Sequence, residues 1–259
     1  MTVPKAEPEA HDRRSLHERI AADLRDDIMT GELPPGANLP STVQLRSRFD
    51  ASNATIQKAL QLLKDERLVV GRAGAAVTVR EHRQRTIRPA GSLTPAAADQ
   101  SYPWLTEAAK HGMDARITLL DVRETVPPAD IRHALALPDD GVAVLRSQLV
   151  LIDGEPAELV NSYYPLDIAD GTPLKDHRRI KGGTSTLLGQ LGHAPHHCVD
   201  RVSARVPTQE QFEVLRLPGS LPVLCTLRVV HAADGRPIEA TSMVKAGHLY
   251  ELLYEFTPE

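Results

Sequence analysis

Apolar residues recur every four positions near the start of the chain, as Leu16, Ile20, Leu24 and Ile28. This period places all four on one face, so the segment is predicted to form an amphipathic helix that ends at about Met29. The polar residues on its other faces indicate a helix that packs against a core on one side only.

Two shorter helices, joined by a tight turn, are predicted next. Ser41 and Ser52 are their expected N-caps, because each directly precedes a segment with helical apolar spacing. In a helix-turn-helix, the second helix of such a pair enters the DNA major groove. Short β-type runs at 68–70 and 77–79 then flank a glycine-containing turn. Residues 15–80 are therefore predicted to form a winged helix-turn-helix.

The pattern changes beyond this region. Residues 1–14 are polar with proline and are predicted to be disordered, and residues 81–100 read as a linker because they are charged and then small and Pro-containing. Residues 101–259 alternate between strand and helix patterns. The predicted strands are 117–122, 142–152, 157–164, 199–206, 223–231 and 238–244, and the predicted helices are 102–111, 131–137, 186–191 and 209–217.

Two of these predicted hairpins turn at an Asp-Gly pair, and each follows a helix that ends in Leu-Pro. The same order of elements occurs twice, which indicates a loose internal duplication. We therefore expect an α+β domain with one antiparallel sheet.

Composition narrows the class of protein. The chain has 41% hydrophobic and 25% charged residues, which is ordinary for a globular protein. It contains no apolar run near 18 residues and no signal-peptide pattern, so we expect no membrane segment. Its two cysteines, Cys198 and Cys225, do not make a disulfide framework, and a reducing cytoplasm is the simplest expectation.

The net charge of −4 is unusual for a DNA-binding protein, but the charge is divided unevenly. Residues 1–90 hold 15 Lys/Arg against 12 Asp/Glu, whereas residues 91–259 hold 15 against 22. The N-terminal part can therefore face phosphates while the remainder keeps the chain soluble.

The sequence GELPPGANLPS at 31–41, followed by SNATIQKAL at 52–60, resembles the DNA-binding domain of GntR-type bacterial transcription regulators. The segment LALPDDGVAVLRSQLVLIDGEPAELVNSYYP at 135–165 and its C-terminal counterpart resemble the UTRA effector domain of the HutC branch, a chorismate-lyase-like fold. The resemblance implies a homodimer that binds a roughly palindromic double-stranded operator under the control of a small-molecule effector. A repressor is the expected role.

The chain departs from this family at its expected DNA-reading positions. Many members carry arginines where this sequence has Val43, Asn53 and Gln57. Asn and Gln suit adenine, whereas Arg suits guanine, so we expect an operator that depends less on G there. The candidate DNA contacts, which combine hydroxyl donors, amides and cations, are Ser41, Arg46, Arg48, Ser52, Asn53, Thr55, Gln57, Lys58 and Arg72. For Ser52 and Thr55 the alternative role is helix capping alone.

A second departure concerns the effector. Sugar-phosphate-responsive members use an Arg-x-Arg and a Glu where this chain has Gln148, Val150 and Val160. Burying a phosphate dianion without Arg partners is unfavourable, so we expect a neutral, less polar metabolite without phosphate. The candidate effector-binding residues are Arg146, Gln148, Asn161, Tyr163 and Ser185. Arg146 could instead lie on the outer face of its strand.

Other chemistries are weaker readings. The cluster HAPHHC at 193–198 could bind zinc but lacks a recognised ligand spacing, so no metal or cofactor is expected. Glu158 and Glu239 could suggest paired carboxylates, yet no catalytic motif accompanies them. The alternative function is a small-molecule-binding or chorismate-lyase-like enzymatic domain with a degenerate DNA-binding module.

Overall fold

The computed structural model describes residues 12–71, 76–81, 85–87, 112, 114–219 and 221–255. The chain divides into two compact units, Met1–Arg83 and Gln84–Glu259. None of the helices within these described ranges is long and apolar enough to cross a membrane.

The first unit has the three helices and the hairpin that the sequence predicts. Its elements are α1 (Leu16–Thr30), α2 (Thr42–Phe49), α3 (Asn53–Asp65), β1 (Val69–Val70) and β2 (Thr78–Val79), with β1 and β2 antiparallel. Gly31 ends α1 with a φ of 91°, a left-handed conformation in which a side chain would be strained.

The core of this unit is the set of apolar faces that the helical period indicates. Its buried members include Ile20, Leu24, Ile28, Leu45, Ile56, Leu60 and Leu63. Two ion pairs tie α1 to its neighbours, since Arg25 contacts Glu66 at 2.5 Å and Arg48 contacts Asp27 at 2.7 Å. Because one face of α3 is used for this packing, its other face is left exposed.

The second unit contains a six-stranded antiparallel sheet with the strand order β4-β5-β6-β9-β8-β7. Its elements are β3 (Arg85–Ile87), β4 (Ala115–Thr125), α4 (Ala129–Ala134), β5 (Ala143–Ile152), β6 (Glu155–Pro165), α5 (Leu166–Ala169), a 3-10 turn (Pro173–Lys175), α6 (Thr184–Gln190), β7 (His197–Arg205), α7 (Gln209–Val214), β8 (Val223–His231), β9 (Pro237–Ala246) and β10 (Tyr250–Leu252).

The predicted duplication is present in the topology. The order β4-α4-β5-β6 is repeated as β7-α7-β8-β9, and the two repeats meet where β6 pairs with β9 at the centre of the sheet. In the first hairpin turn, Asp153 and Gly154 have φ values of 51° and 79°, the left-handed geometry that favours Asp-Gly in two-residue turns.

Both faces of the sheet are covered. Leu135 of the first repeat and Leu215 of the second pack on one face, beside α4 and α7. On the other face, Leu174 and Leu188 from the connection between β6 and β7 pack around Tyr164. Strand alternation decides which face each residue joins.

Two expectations need comment. The helix predicted over 102–111 lies outside the described residues. Residues 85–87, which the sequence places in the linker, form β3 and pair in parallel with β10. This pair joins segments far apart in the chain through backbone hydrogen bonds, which local composition does not reveal.

Leu63→Ala should destabilise the first unit by about 2–5 kcal/mol, because the fully buried side chain leaves a cavity in the core. The matched control is Val43→Ala, since Val43 is 73% exposed and its loss should change stability by about 0.5 kcal/mol or less. Urea unfolding followed by the helical circular dichroism signal measures both. Equal effects of the two substitutions would contradict this account of the core.

Candidate functional site

The exposed face of α3 carries three polar residues suited to DNA. Asn53, Gln57 and Lys58 are all exposed, while the neighbouring Ile56 and Ala59 are fully buried. Asn53 and Gln57 are four residues apart and so lie on one helix face. The start of the helix is fixed by Ser52, whose Oγ accepts a hydrogen bond from the Thr55 backbone N–H at 3.2 Å.

Ser41 and Ser52, which were predicted to donate hydrogen bonds to DNA phosphates, are helix caps. Ser41 Oγ accepts from the Gln44 backbone N–H at 3.3 Å, and the Gln44 side chain accepts from the Ser41 backbone N–H at 2.8 Å. The hydroxyls of Ser52 and Thr55 lie 2.9 Å apart. These hydroxyls therefore cap their helices, as the alternative role proposed. A hydroxyl that accepts one hydrogen bond can still donate another.

The three arginines that were candidate DNA contacts differ in their surroundings. Arg48 donates to Asp27 at 2.7 Å and lies over the Phe49 ring at 4.8 Å, so it helps to fasten α2 to α1. The hydrogen bond to Asp27 raises the pKa of Arg48. Arg46 is exposed. Arg72 lies outside the described residues.

The second unit holds a cavity of about 140 Å³ on one face of the sheet. Strand pairing places a row of polar residues across it, one from each successive strand: Arg146, Ser162, Thr241, Arg228 and Asp200. At the centre of this row the hydroxyls of Ser162 and Thr241 lie 2.8 Å apart.

Two buried ion pairs form part of the cavity wall. Arg228 Nε and Nη2 donate to the two carboxylate oxygens of Asp200, both at 2.7 Å, and the side chains are 10% and 12% exposed. Burial opposes the charge on Asp200, but the hydrogen bonds from Arg228 outweigh it and hold the pKa of Asp200 below its usual value. Lys245 contacts Glu158 at 2.8 Å.

Arg146 is a buried clamp. It is 1% exposed, and its guanidinium donates to the backbone carbonyls of Leu174, Asp176 and Arg178 at 2.8, 2.9 and 2.7 Å. It therefore lines the cavity and holds the segment after α5 against it, so the alternative of an outer-face position is wrong. Desolvation lowers the pKa of Arg146.

The other predicted effector residues divide between the two faces of the sheet. Gln148 and Ser185 line the cavity. Val150 and Val160 line it too, at positions where sugar-phosphate-responsive members of the resembled family carry charged residues. Asn161 and Tyr163 do not, and they line a second concave surface on the opposite face. The reason is register, because Gln148 pairs with Val160 and shares its face, whereas Asn161 and Tyr163 alternate with it.

Several charged residues of the cavity were not candidates from the sequence. They are Asp200, Arg228 and Lys245, and Glu158 and Glu239 were considered only as possible catalytic carboxylates. The duplication contains a usable clue, since aligning the two Leu-Pro segments places Arg228 at the position of Gln148. The cavity wall contains more charged side chains than we expect for a site that binds a neutral, less polar metabolite.

The histidine cluster gives no metal site in the part of the chain that the structure describes. No group of three or more His, Cys, Asp or Glu side chains there could hold an ion. His197 instead packs beside His231 on the neighbouring strand, with ring centroids 5.8 Å apart.

A winged helix-turn-helix joined in one chain to a sheet domain with a polar cavity defines a DNA-binding protein that has a separate ligand-binding domain. Residues 16–79 match the gntR family of bacterial regulatory proteins, and residues 110–251 match the UTRA domain. The chain belongs to the GntR-type transcriptional regulators with a UTRA effector-binding domain.

Similar proteins support this membership along the whole chain. An uncharacterised HTH-type transcriptional regulator of Streptomyces coelicolor is 26% identical over 96% of this chain and 94% of its own length. The HTH-type transcriptional regulator GgaR of Escherichia coli is 23% identical over 96% and 93%. The crystal structure of PhnF from Mycobacterium smegmatis shares the fold, with a TM-score of 0.57 at 15% identity over 93% of this chain and all of that one.

Asp200→Ala should destabilise the second unit by about 3–5 kcal/mol, because it removes the carboxylate that pairs with the buried Arg228 guanidinium. Asp114→Ala is the control, since it breaks an exposed pair with Arg116 and should cost about 1 kcal/mol or less. Thermal unfolding by calorimetry distinguishes the two. Comparable small losses would mean that the Asp200 pair is not effectively buried.

Proposed function

We propose that the chain is a dimeric repressor that binds a palindromic operator. A small metabolite without a phosphate group binds this repressor and either releases it from the operator or strengthens its binding there. The observation that carries this proposal is the cavity, whose wall contains the positions where sugar-phosphate-responsive relatives carry arginines. Those two positions are Gln148 and Val150 here, and Val160 stands in the same wall where those relatives carry a Glu.

The DNA side of the proposal rests on α3. Its buried face is engaged in the core, and its exposed Asn53 and Gln57 stand one turn apart near the end that enters the groove in a helix-turn-helix. Lys58 beside them is a candidate phosphate anchor, as are Arg46 and Arg72. A dimer presents two such helices, and the two-fold symmetry of the protein then matches that of the operator.

The effector side rests on the state of the cavity cations. Arg228 is bidentate to Asp200 and Lys245 is paired with Glu158, so a phosphate would have to compete with two carboxylates already in place. Both Nη atoms of Arg146 donate hydrogen bonds to backbone carbonyls. A dianion entering this site would lose its hydration without gaining free cations.

Asn53→Ala and Gln57→Ala should each reduce the preference for adenine at one operator position, by about 1–3 kcal/mol per lost bidentate contact. Gel-shift titrations with the chain's own promoter region and its single-base variants measure this. Gln209→Ala, an exposed glutamine of α7 in the other unit, is the control and should change nothing. An unchanged base preference in both α3 variants would refute the assignment of these side chains.

Glucosamine-6-phosphate should not bind the full-length protein, because the site offers no uncommitted cation pair for its phosphate. Calorimetric titration at millimolar ligand tests this directly. As the positive arm, a metabolite library is screened by thermal shift, and a true effector should change operator affinity and lose its effect in Thr226→Leu, which fills part of the cavity. Tight binding of the sugar phosphate would overturn the expected ligand class.

A further inference from the structure

The duplication places two glutamates at equivalent points of the cavity. Glu158 on β6 and Glu239 on β9 each stand four residues beyond the glycine of their Asp-Gly turn. Both line the cavity, and they are 7% and 8% exposed. Their backbone positions are thus alike, and any difference between them comes from neighbouring side chains.

Those neighbours differ by one charge. Glu158 has Lys245 directly opposite on β9, with the two side chains 2.8 Å apart. Lys245 stands six residues after Glu239, and the residue six places after Glu158 is Tyr164. Tyrosine therefore occupies, beside Glu239, the place that lysine occupies beside Glu158. Among the described residues, Glu239 makes no ion pair, whereas Glu158 does.

The other cavity cations are committed elsewhere. Arg228, whose positive charge acts on Glu239, donates two hydrogen bonds to Asp200. Arg146 donates its hydrogen bonds to backbone carbonyls. The Glu239 carboxyl accepts a hydrogen bond from Thr241 Oγ1 at 2.6 Å, and the hydroxyls of Tyr164 and Ser162 also act on it. A carboxyl group can accept several, so Glu239 has acceptor capacity to spare.

Burial raises the pKa of Glu239, and the hydroxyls of Thr241, Tyr164 and Ser162 together with the Arg228 charge oppose this only in part. A cation paired with Glu239 would favour its carboxylate form. The hydroxyl of Thr226, 3% exposed in the same wall, has no hydrogen-bond partner within the described residues. The cavity thus contains a carboxyl group without an ion-pair partner, Glu239, and a hydroxyl without a hydrogen-bond partner among the described residues, Thr226. Both can accept a hydrogen bond from a ligand.

We propose that the effector carries a protonated nitrogen, an ammonium or guanidinium group, which approaches from the cavity and supplies the cation that Glu239 lacks. The inference rests on the proposed function, in which this cavity is the effector site. In the complex Glu239 pairs as a carboxylate with the ligand cation, and any proton that it holds in the free protein passes to solvent. An anionic ligand would instead have to displace Asp200 or Glu158 from its existing partner.

The test uses the full-length protein and pairs of probes that differ in charge but little in shape. These are butylguanidinium against butylurea, butylammonium against 1-butanol, and putrescine against 1,4-butanediol, with succinate as an anion. Thermal shift should favour the cationic member of at least one pair. Calorimetry of that member in two buffers of different ionisation enthalpy measures its affinity and any proton released on binding.

Glu239→Gln keeps the shape of the side chain and should weaken the preferred cation by about tenfold or more, since a charge-assisted bond is lost. Glu213→Gln, an exposed position on α7, is the matched control and should bind as the wild type does. Tyr164→Lys is a second variant, which supplies the missing cation from the protein itself and should also abolish the preference. The melting profile of each free variant confirms that it is folded.

Several results would overturn the proposal. If butylurea, 1-butanol or 1,4-butanediol binds as well as its cationic counterpart, or succinate binds as well as the cations, and Glu239→Gln has no effect, the cavity remains an effector site but the ligand class is wrong. If no probe stabilises the protein, the amine proposal also fails. Release of the operator by a library metabolite whose effect is lost in Thr226→Leu would then still support the proposed function.

Discussion

The pairing of β6 with β9 is the contact on which the second unit depends. It joins the two repeats, sets Ser162 opposite Thr241, and points alternate residues of both strands into the same cavity. A shift of this register by one residue would turn either Glu158 or Lys245 to the opposite face and so separate the pair. Register at the centre of the sheet therefore determines the chemistry of the cavity, in addition to the stability of the fold.

Charge is the second organising feature of this cavity. Removing ion pairs from water is costly, and a well-packed apolar wall would often be as stable or more so. The retained pairs, Arg228 with Asp200 and Lys245 with Glu158, leave the wall polar but nearly neutral. Arg146 contributes differently, because its guanidinium secures the segment that closes over the sheet.

In the first unit, stability and recognition are assigned to opposite faces of the same helix. Ile56 and Leu63 fill the core while Asn53 and Gln57 remain exposed. The caps at Ser41 and Ser52 fix where α2 and α3 begin, and this sets which residues stand at the exposed start of α3. Arg48, by contrast, is drawn into a pair with Asp27, so a cation count alone overstates the charge free for phosphates.

The sequence by itself determined the order of helices and strands, the winged helix-turn-helix, the duplicated α-β-β pattern and the family, because local periodicity and turn residues carry that information. It also predicted Gln148 as an effector residue, and Gln148 lines the cavity. Alternation along β6 already separates Asn161 and Tyr163 from the face of Val160. Only the tertiary structure decided that Arg228 and Lys245 each meet an acid in the cavity wall. Those ion pairs depend on strand register and on contacts between residues far apart in the chain, which no local pattern records.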